Sequence, residues 1–307
     1  MNLAFITHPL CLRHSNGAHH PENAARIEAI QDLLIASGLD PWLVHLDAPE
    51  ATRADLLLAH DARLIDLLFR ESPSDGVVSL DGDTAMNPYT LPAALRAAGS
   101  GVQAVDWVME RVGRRVFCAI RPPGHHASRS RPAGFCIFNN IAIAALHALE
   151  RHGLERVAIV DFDVHHGDGT ENIVAGDERI LFCSSFQHPF YPHSGIPPMA
   201  GNCLPVPLTA GTRGTEWREA VAAAWFGALR DHAPQLVLIS AGFDAHREDE
   251  MSHIALVEDD YAWVTRELVA IANISAGGRI VSMLEGGYEP QALARSVLAH
   301  LRALEDA

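Results

Sequence analysis

"VAIVDFDVHHGDGT" spans residues 157 to 170. Its first part is apolar and β-branched, and its second carries Asp161, Asp163, His165, His166 and Asp168. Val-Ala-Ile-Val suits a strand covered on both faces, because parallel sheets bury both sides of each strand. Carboxylates and imidazoles are costly to bury without partners. The stretch therefore predicts a buried strand that ends where charge is put to use.

Similar runs recur along the chain: "LAFIT" (3–7), "RVFCAI" (115–120), "RVAIVDF" (156–162), "RILFCSSF" (179–186), "LVLISAGF" (236–243) and "RIVSML" (279–284). Between them lie segments of helical spacing. "HPENAARIEAIQDLLIASG" has Pro21 near its start, Ile27, Ile30 and Leu34 on one side, and Gly38 at its end. Residues 92–112, 216–233, 258–273 and 290–304 read the same way. This alternation predicts a three-layer α/β/α fold with a mainly parallel central sheet. There is no internal repeat or low-complexity tract. The Pro/Gly-rich stretches 121–134 and 192–214 are too short to separate domains, so residues 1–307 read as a single domain.

Composition narrows the function. No run approaches 18 apolar residues, which argues against a membrane span. The N-terminus reads as a first strand and not as a signal peptide. Five scattered cysteines without a CxxC pair favour free thiols and a reducing, cytoplasmic setting. A net charge of −15 argues against nucleic acid and is compatible with a cationic substrate.

Ligands of open parallel sheets bind beyond the carboxyl ends of the strands. Four strands run there into "RPPGHHA", "DFDVHHGDG", "FDAH" and "EGGYE". If strand geometry persists past Asp161, then Asp161, Asp163 and His165 share one side. Asp163 and His165, joined by Asp244 from another strand, make two carboxylates and an imidazole. Such a set suits a catalytic divalent metal with an open position; zinc accepts it, as do iron and manganese. Taken singly, Asp163 and His165 would be a polar strand end and Asp244 a turn residue; it is the convergence of strand ends that favours a metal. His125 and His126 have the chemistry of a base and an acid near neutrality, although an isolated tandem pair would be an exposed loop. Asp161 and Asp168 each suit the task of fixing a histidine tautomer. Tyr288, behind two glycines, is placed to donate to an oxyanion, or else packs.

Taken together, "HPENAAR" (20–26), "DGDTAMNPYT" (81–90), "RPPGHHA" (121–127), "GFCIFNN" (134–140), "DFDVHHGDGT" (161–170), "FYPHSG" (190–195), "SAGFDAH" (240–246) and "EGGY" (285–288) resemble the zinc-dependent histone-deacetylase-like amidohydrolases of the arginase/deacetylase fold, closest to their class II branch. The resemblance implies a metal-dependent deacetylase, a hydrolase of linear amides. It implies zinc on Asp163, His165 and Asp244, and an acid/base pair His125 and His126 held by Asp161 and Asp168 respectively. Tyr288 would polarise the acyl carbonyl, Phe135 and Tyr191 would line the substrate tunnel, and Asp83 would hold substrate at the rim. A structural potassium ion is implied near Asp161, Asp163, His165 and Ser185. The substrate would be acetyl-lysine or a small acetylated amine. An acetylpolyamine is the alternative, with Glu248 or Glu250 of the polar loop 244–253 as the attracting charge. Two rivals stand beside this reading. A two-metal ureohydrolase would need an aspartate where this chain has His246, and a non-catalytic acetyl-ligand binder would be expected to have lost a site residue.

Overall fold

In a computed structural model, which describes residues 2–305, all six apolar runs form strands. The strands are β1 (Leu3–Thr7), β2 (Val44–Asp47), β3 (Val78–Ser79), β4 (Ala85–Met86), β5 (Arg115–Cys118), β6 (Val157–Asp161), β7 (Ile180–Gln187), β8 (Cys203–Leu208), β9 (Leu236–Ala241) and β10 (Ile280–Leu284). Eight of them make one sheet in the order β2-β1-β5-β10-β9-β6-β7-β8, with β3 and β4 forming a separate hairpin. Every pairing in the large sheet is parallel. β5, β10, β9 and β6, the four strands that run into polar clusters, are adjacent in it. Their carboxyl ends therefore open onto one place.

The helices are α1 (Ala25–Ala36), α2 (Arg53–Ala59), α3 (Ala62–Glu71), α4 (Thr90–Met109), α5 (Asn140–His152), α6 (Asp168–Val174), α7 (Gly214–Val221), α8 (Gly227–His232), α9 (Glu258–Ser275) and α10 (Pro290–Glu305). One apolar core packs α1 and α7 to α10 on one face of the sheet. A second packs α2 to α6 on the other. The result is the three-layer α/β/α fold that the alternation predicts. The five cysteines are free and buried, and no helix among the described residues is long and apolar enough to cross a membrane.

Some boundaries move for visible reasons. The helix expected from Pro21 begins only at Ala25, because Glu22 is drawn into the interior by Arg26 (3.1 Å) and Arg121. The segment 216–233 is broken by a π turn over Ala222–Phe226. α5 falls in a stretch whose apolar character masks its period. Its ends are nonetheless marked: Asn139 Oδ1 accepts from Ala142 N (3.0 Å), and Gly153 closes it in the left-handed region.

Candidate active site

β6 stops at Asp161, and the chain beyond it leaves strand geometry. The two-residue repeat is therefore not what brings Asp161, Asp163 and His165 together, which corrects the expectation from spacing. Each carboxylate instead accepts the amide two residues on. Asp163 N donates to Asp161 Oδ1 (3.1 Å) and His165 N to Asp163 Oδ1 (2.9 Å). These local side-chain bonds replace the ladder that the strand has left. Asp244 arrives after β9 and is oriented by Val164 N (2.9 Å), while Gly286 N donates to Asp163 Oδ2 (2.7 Å).

These contacts gather Asp163, His165 and Asp244, all buried, with ligand atoms within 4.8 Å of one another. His165 Nδ1 lies 3.1 Å from Asp163 Oδ1 and 3.1 Å from Asp244 Oδ2. Burial, and then the charge of Asp163, push Asp244 up to about 7. Burial would lower His165, but bonds to both carboxylates raise it to about 10. Two buried carboxylates and an imidazole nitrogen converging on one point are a donor set that fits a divalent cation such as zinc.

Beside this group, β5 ends in the loop that carries His125 and His126. Glu285 Oε2 accepts from Gly124 N (2.7 Å) and His125 N (3.1 Å), and Ser240 Oγ donates to Glu285 Oε1 (3.2 Å). Burial pushes the Glu285 carboxyl up to about 7. His125 Nδ1 lies 2.9 Å from Asp161 Oδ2, and His126 Nδ1 lies 2.7 Å from Asp168 Oδ1. The two rings are 4.1 Å apart. Burial works to lower both. The charges of Asp161, Asp163 and Glu285 overcome it at His125 and raise that imidazole well above its ordinary value. At His126 the neighbouring His125 adds to burial, and the pKa falls to about 4 despite Asp168.

A cavity of about 350 Å³ leads from buried His126 and His165, past Phe135, Phe190, Tyr191 and Tyr288, to exposed Asp83 and Glu250. Phe190 stacks on His165 (5.7 Å, 21°), and Tyr288 stands edge-on to Phe135 (5.8 Å, 87°). Burial raises the Tyr288 phenol and keeps it a donor. Its turn is held from two sides. Asp249 Oδ2 accepts from Tyr288 N (2.6 Å), while Arg26 Nε donates to Gly287 O (2.5 Å) and its guanidinium also bonds Glu285 O and lies 5.0 Å over the Tyr288 ring.

Other residues named from sequence sit elsewhere. Ser185 accepts from Trp217 Nε1 (3.1 Å). His166 is held between Glu171 (2.9 Å) and Ser184 (3.1 Å), away from the metal-type group. His246 faces Glu258 (3.5 Å), so the position a ureohydrolase would give to a second metal's carboxylate is turned to a helix. Glu248 pairs with Arg295 (2.9 Å), which leaves Glu250 as the loop's carboxylate on the cavity. Asp249, Glu285 and Arg26 escaped the reading of single residues, and within the "FYP" stretch the resemblance favours Tyr191 over Phe190, which also lines the cavity. Only the position of Glu285, at the end of a buried strand, gave a signal.

The histone deacetylase domain model matches residues 20–304. The chain belongs to the histone deacetylase family. It is 39% identical over 300 residues to the Synechocystis sp. protein slr0245, across 95% of this chain and 96% of that one. To the histone deacetylase-like amidohydrolase of Pseudomonas aeruginosa it is 33% identical over 309 residues, across 93% and 81%. The crystal structure of the HDA15 HD domain superposes with a TM-score of 0.93 at 31% identity, covering 99% of this chain and 89% of that one. Membership of this histone deacetylase family makes the protein a hydrolytic deacetylase, which leaves the non-catalytic reading without support. The family is generally zinc-dependent and acts on acetylated substrates.

Proposed function

We propose that the protein hydrolyses the acetyl amide of acetyl-lysine or a related acetylated amine, with zinc held by Asp163, His165 and Asp244. The observation that carries this is the meeting of that buried set with two differently charged His–Asp pairs, where His165 of the set and His126 of one pair open onto a cavity of about 350 Å³ walled by aromatic rings. Bound zinc would lower the pKa of a water to about 7 and polarise the acyl carbonyl. The protein's own groups do the rest. Phe135, Phe190 and Tyr191 enclose the aliphatic arm and exclude solvent. His126, neutral near pH 7 and at the buried end of the cavity, takes the proton of the attacking water. Tyr288 donates to the carbonyl oxygen as it becomes an oxyanion, and His125 stays a fixed cation nearby. The C–N bond then breaks, His126 returns its proton to the departing amine, and acetate and free amine remain. A potassium ion held by backbone oxygens around Asp161, Asp163, His165 and Ser185 belongs to the same proposal.

Asp83 and Glu250 at the exposed end of the cavity favour a substrate with a second cationic amine, which keeps the acetylpolyamine reading in view. Acetate release from the zinc-loaded protein tests both, with an acetyl-lysine peptide compared against N-acetylated polyamines. Preference in kcat/KM for the peptide selects lysine deacetylation, and preference for polyamines selects the alternative. Release from neither, with zinc bound, would overturn the proposal. Tyr288→Phe is expected to lower kcat by about 10²–10³, the loss seen for one oxyanion donor, and to leave zinc content unchanged.

A further inference from the structure

Asp106 in α4 and His147 and His152 in α5 form a second convergence outside the active site. Both imidazoles turn Nε2 towards one carboxylate oxygen: Asp106 Oδ1 is 2.7 Å from His147 and 2.8 Å from His152. The two rings are 5.5 Å apart at 71°. The three ligand atoms lie within 4.8 Å of one another, as do those of Asp163, His165 and Asp244. A bond that merely ties two helices needs one imidazole. Here two nitrogens and a carboxylate aim at a single point, with His147 buried, His152 a quarter exposed and Asp106 half exposed. The cluster is thus closed towards the protein and open to water on one side.

The ligands also sit on rigid elements. α4 and α5 meet through small residues so tightly that a Cβ on Gly101 would fall 3.1 Å from Ala144 Cβ. Ligand positions fixed by packed helices need little reorganisation on binding. Two imidazoles and one carboxylate suit first-row transition ions better than magnesium or calcium, which take oxygen. His147 Nδ1 is buried without a partner, so the outer bond that fixes a ligand's tautomer is missing on that ring.

We propose that Asp106, His147 and His152 bind a second divalent transition-metal ion, zinc or its neighbours, with water in the remaining positions. Lacking the outer bond behind His147, this site binds more weakly than the catalytic one. The ion clips α4 to α5. The amino end of α5 in turn holds the loop of His125 and His126, through Asn139 Nδ2 to Ala127 O (3.0 Å) and Asn140 Nδ2 to Pro122 O (3.2 Å). The second ion therefore stabilises the fold without entering the substrate cavity.

The test is calorimetric titration of tag-free, chelator-stripped protein with Zn²⁺, followed by thermal unfolding at each occupancy. Wild-type protein should take two equivalents, and Tm should rise again as the second binds. Asp106→Asn and His152→Gln should weaken that second equivalent at least about tenfold, the loss that even outer-shell changes bring, while acetate release at one equivalent stays near wild type. Asp244→Asn should lose the tight equivalent and keep the weak one. A single equivalent in the wild-type protein overturns the proposal. So does a second equivalent that survives both Asp106→Asn and His152→Gln. Should Asp106→Asn fail to fold, the partly exposed His152→Gln alone decides.

Discussion

His125 and His126 are neighbours in sequence with rings 4.1 Å apart, and each has an aspartate on Nδ1, yet they face opposite electrostatic surroundings. Around His125 lie Asp161, Asp163 and Glu285, all buried, and their summed charge outweighs the cost of burying a cation. Around His126 there is one carboxylate, Asp168, whose side chain is still about a fifth exposed, and the charge of His125 itself. One imidazole is thereby held positive and the other neutral. Residue type and spacing do not separate the two roles; the number of buried carboxylates within reach does.

The sharpest way to break this contrast is to delete each ring in turn. His126→Ala is expected to lower kcat by about 10²–10⁴, the range for a lost general base, with zinc content unchanged. His125→Ala should cost less, since in the proposed mechanism it removes a fixed charge and not the group that moves the proton. Equal losses in single-turnover kinetics would erase the distinction.

Two glycines address the pairs separately. Gly134 has φ +52°, and a Cβ there would lie 2.4 Å from His126 Cδ2. Gly134→Ala should cut turnover about tenfold to a hundredfold, as disturbed positioning of a site group commonly does. Gly167 abuts the other pair, and a Cβ there would lie 2.3 Å from Asp161 Oδ2. Asp161 is fully buried and is held by His125 Nδ1 and Asp163 N. Gly167→Ala should therefore destabilise the fold by about 1–3 kcal/mol, as overpacking does, measurable by denaturant unfolding. Wild-type stability would mean that Asp161 is looser than its bonds indicate.

A third histidine sharpens the comparison by showing burial with no carboxylate bonded to the ring. His60 Nδ1 donates to Ser128 O (2.9 Å) and Nε2 accepts from Asn139 N (2.8 Å), and burial lowers its pKa to about 4. Between pH 6.5 and 4 the unfolded chain binds a proton there that the folded chain refuses. Stability from this group is thus complete above 6.5 and lost as pH falls towards 4. The loss is about 1.4 kcal/mol at pH 5.5, one unit below the ordinary histidine value. The gap between the unfolding free energies of wild type and His60→Gln should change by about 2 kcal/mol between pH 7 and 5. Parallel curves would show that His60 takes its proton without unfolding.

Much of this was legible in the chain. The six apolar runs became strands because a run buried on both faces excludes polar residues, and that mark is local. The residues proposed as metal ligands, and the histidines and aspartates beside them, were legible for the same reason, while the resemblance implied which aspartate holds which histidine. Each sits where a buried run gives way abruptly to charge, and charge at such a place needs a partner. What local pattern does not carry is which run lies beside which. The order β5-β10-β9-β6 brings Asp244, Glu285 and Tyr288 to His125, across up to 163 positions of sequence. Only tertiary packing decided that Phe190 as well as Tyr191 faces the cavity, that Asp249 and Arg26 hold the tyrosine's turn, and that Glu250, not Glu248, reaches the cavity. It also decided that Asp106 meets two histidines of another helix. Hydrophobic burial is read out residue by residue, so the sequence alone determined the elements and the kind of chemistry at their ends. Electrostatic fields and ligand convergence depend on distance in space, and those the folded chain alone sets.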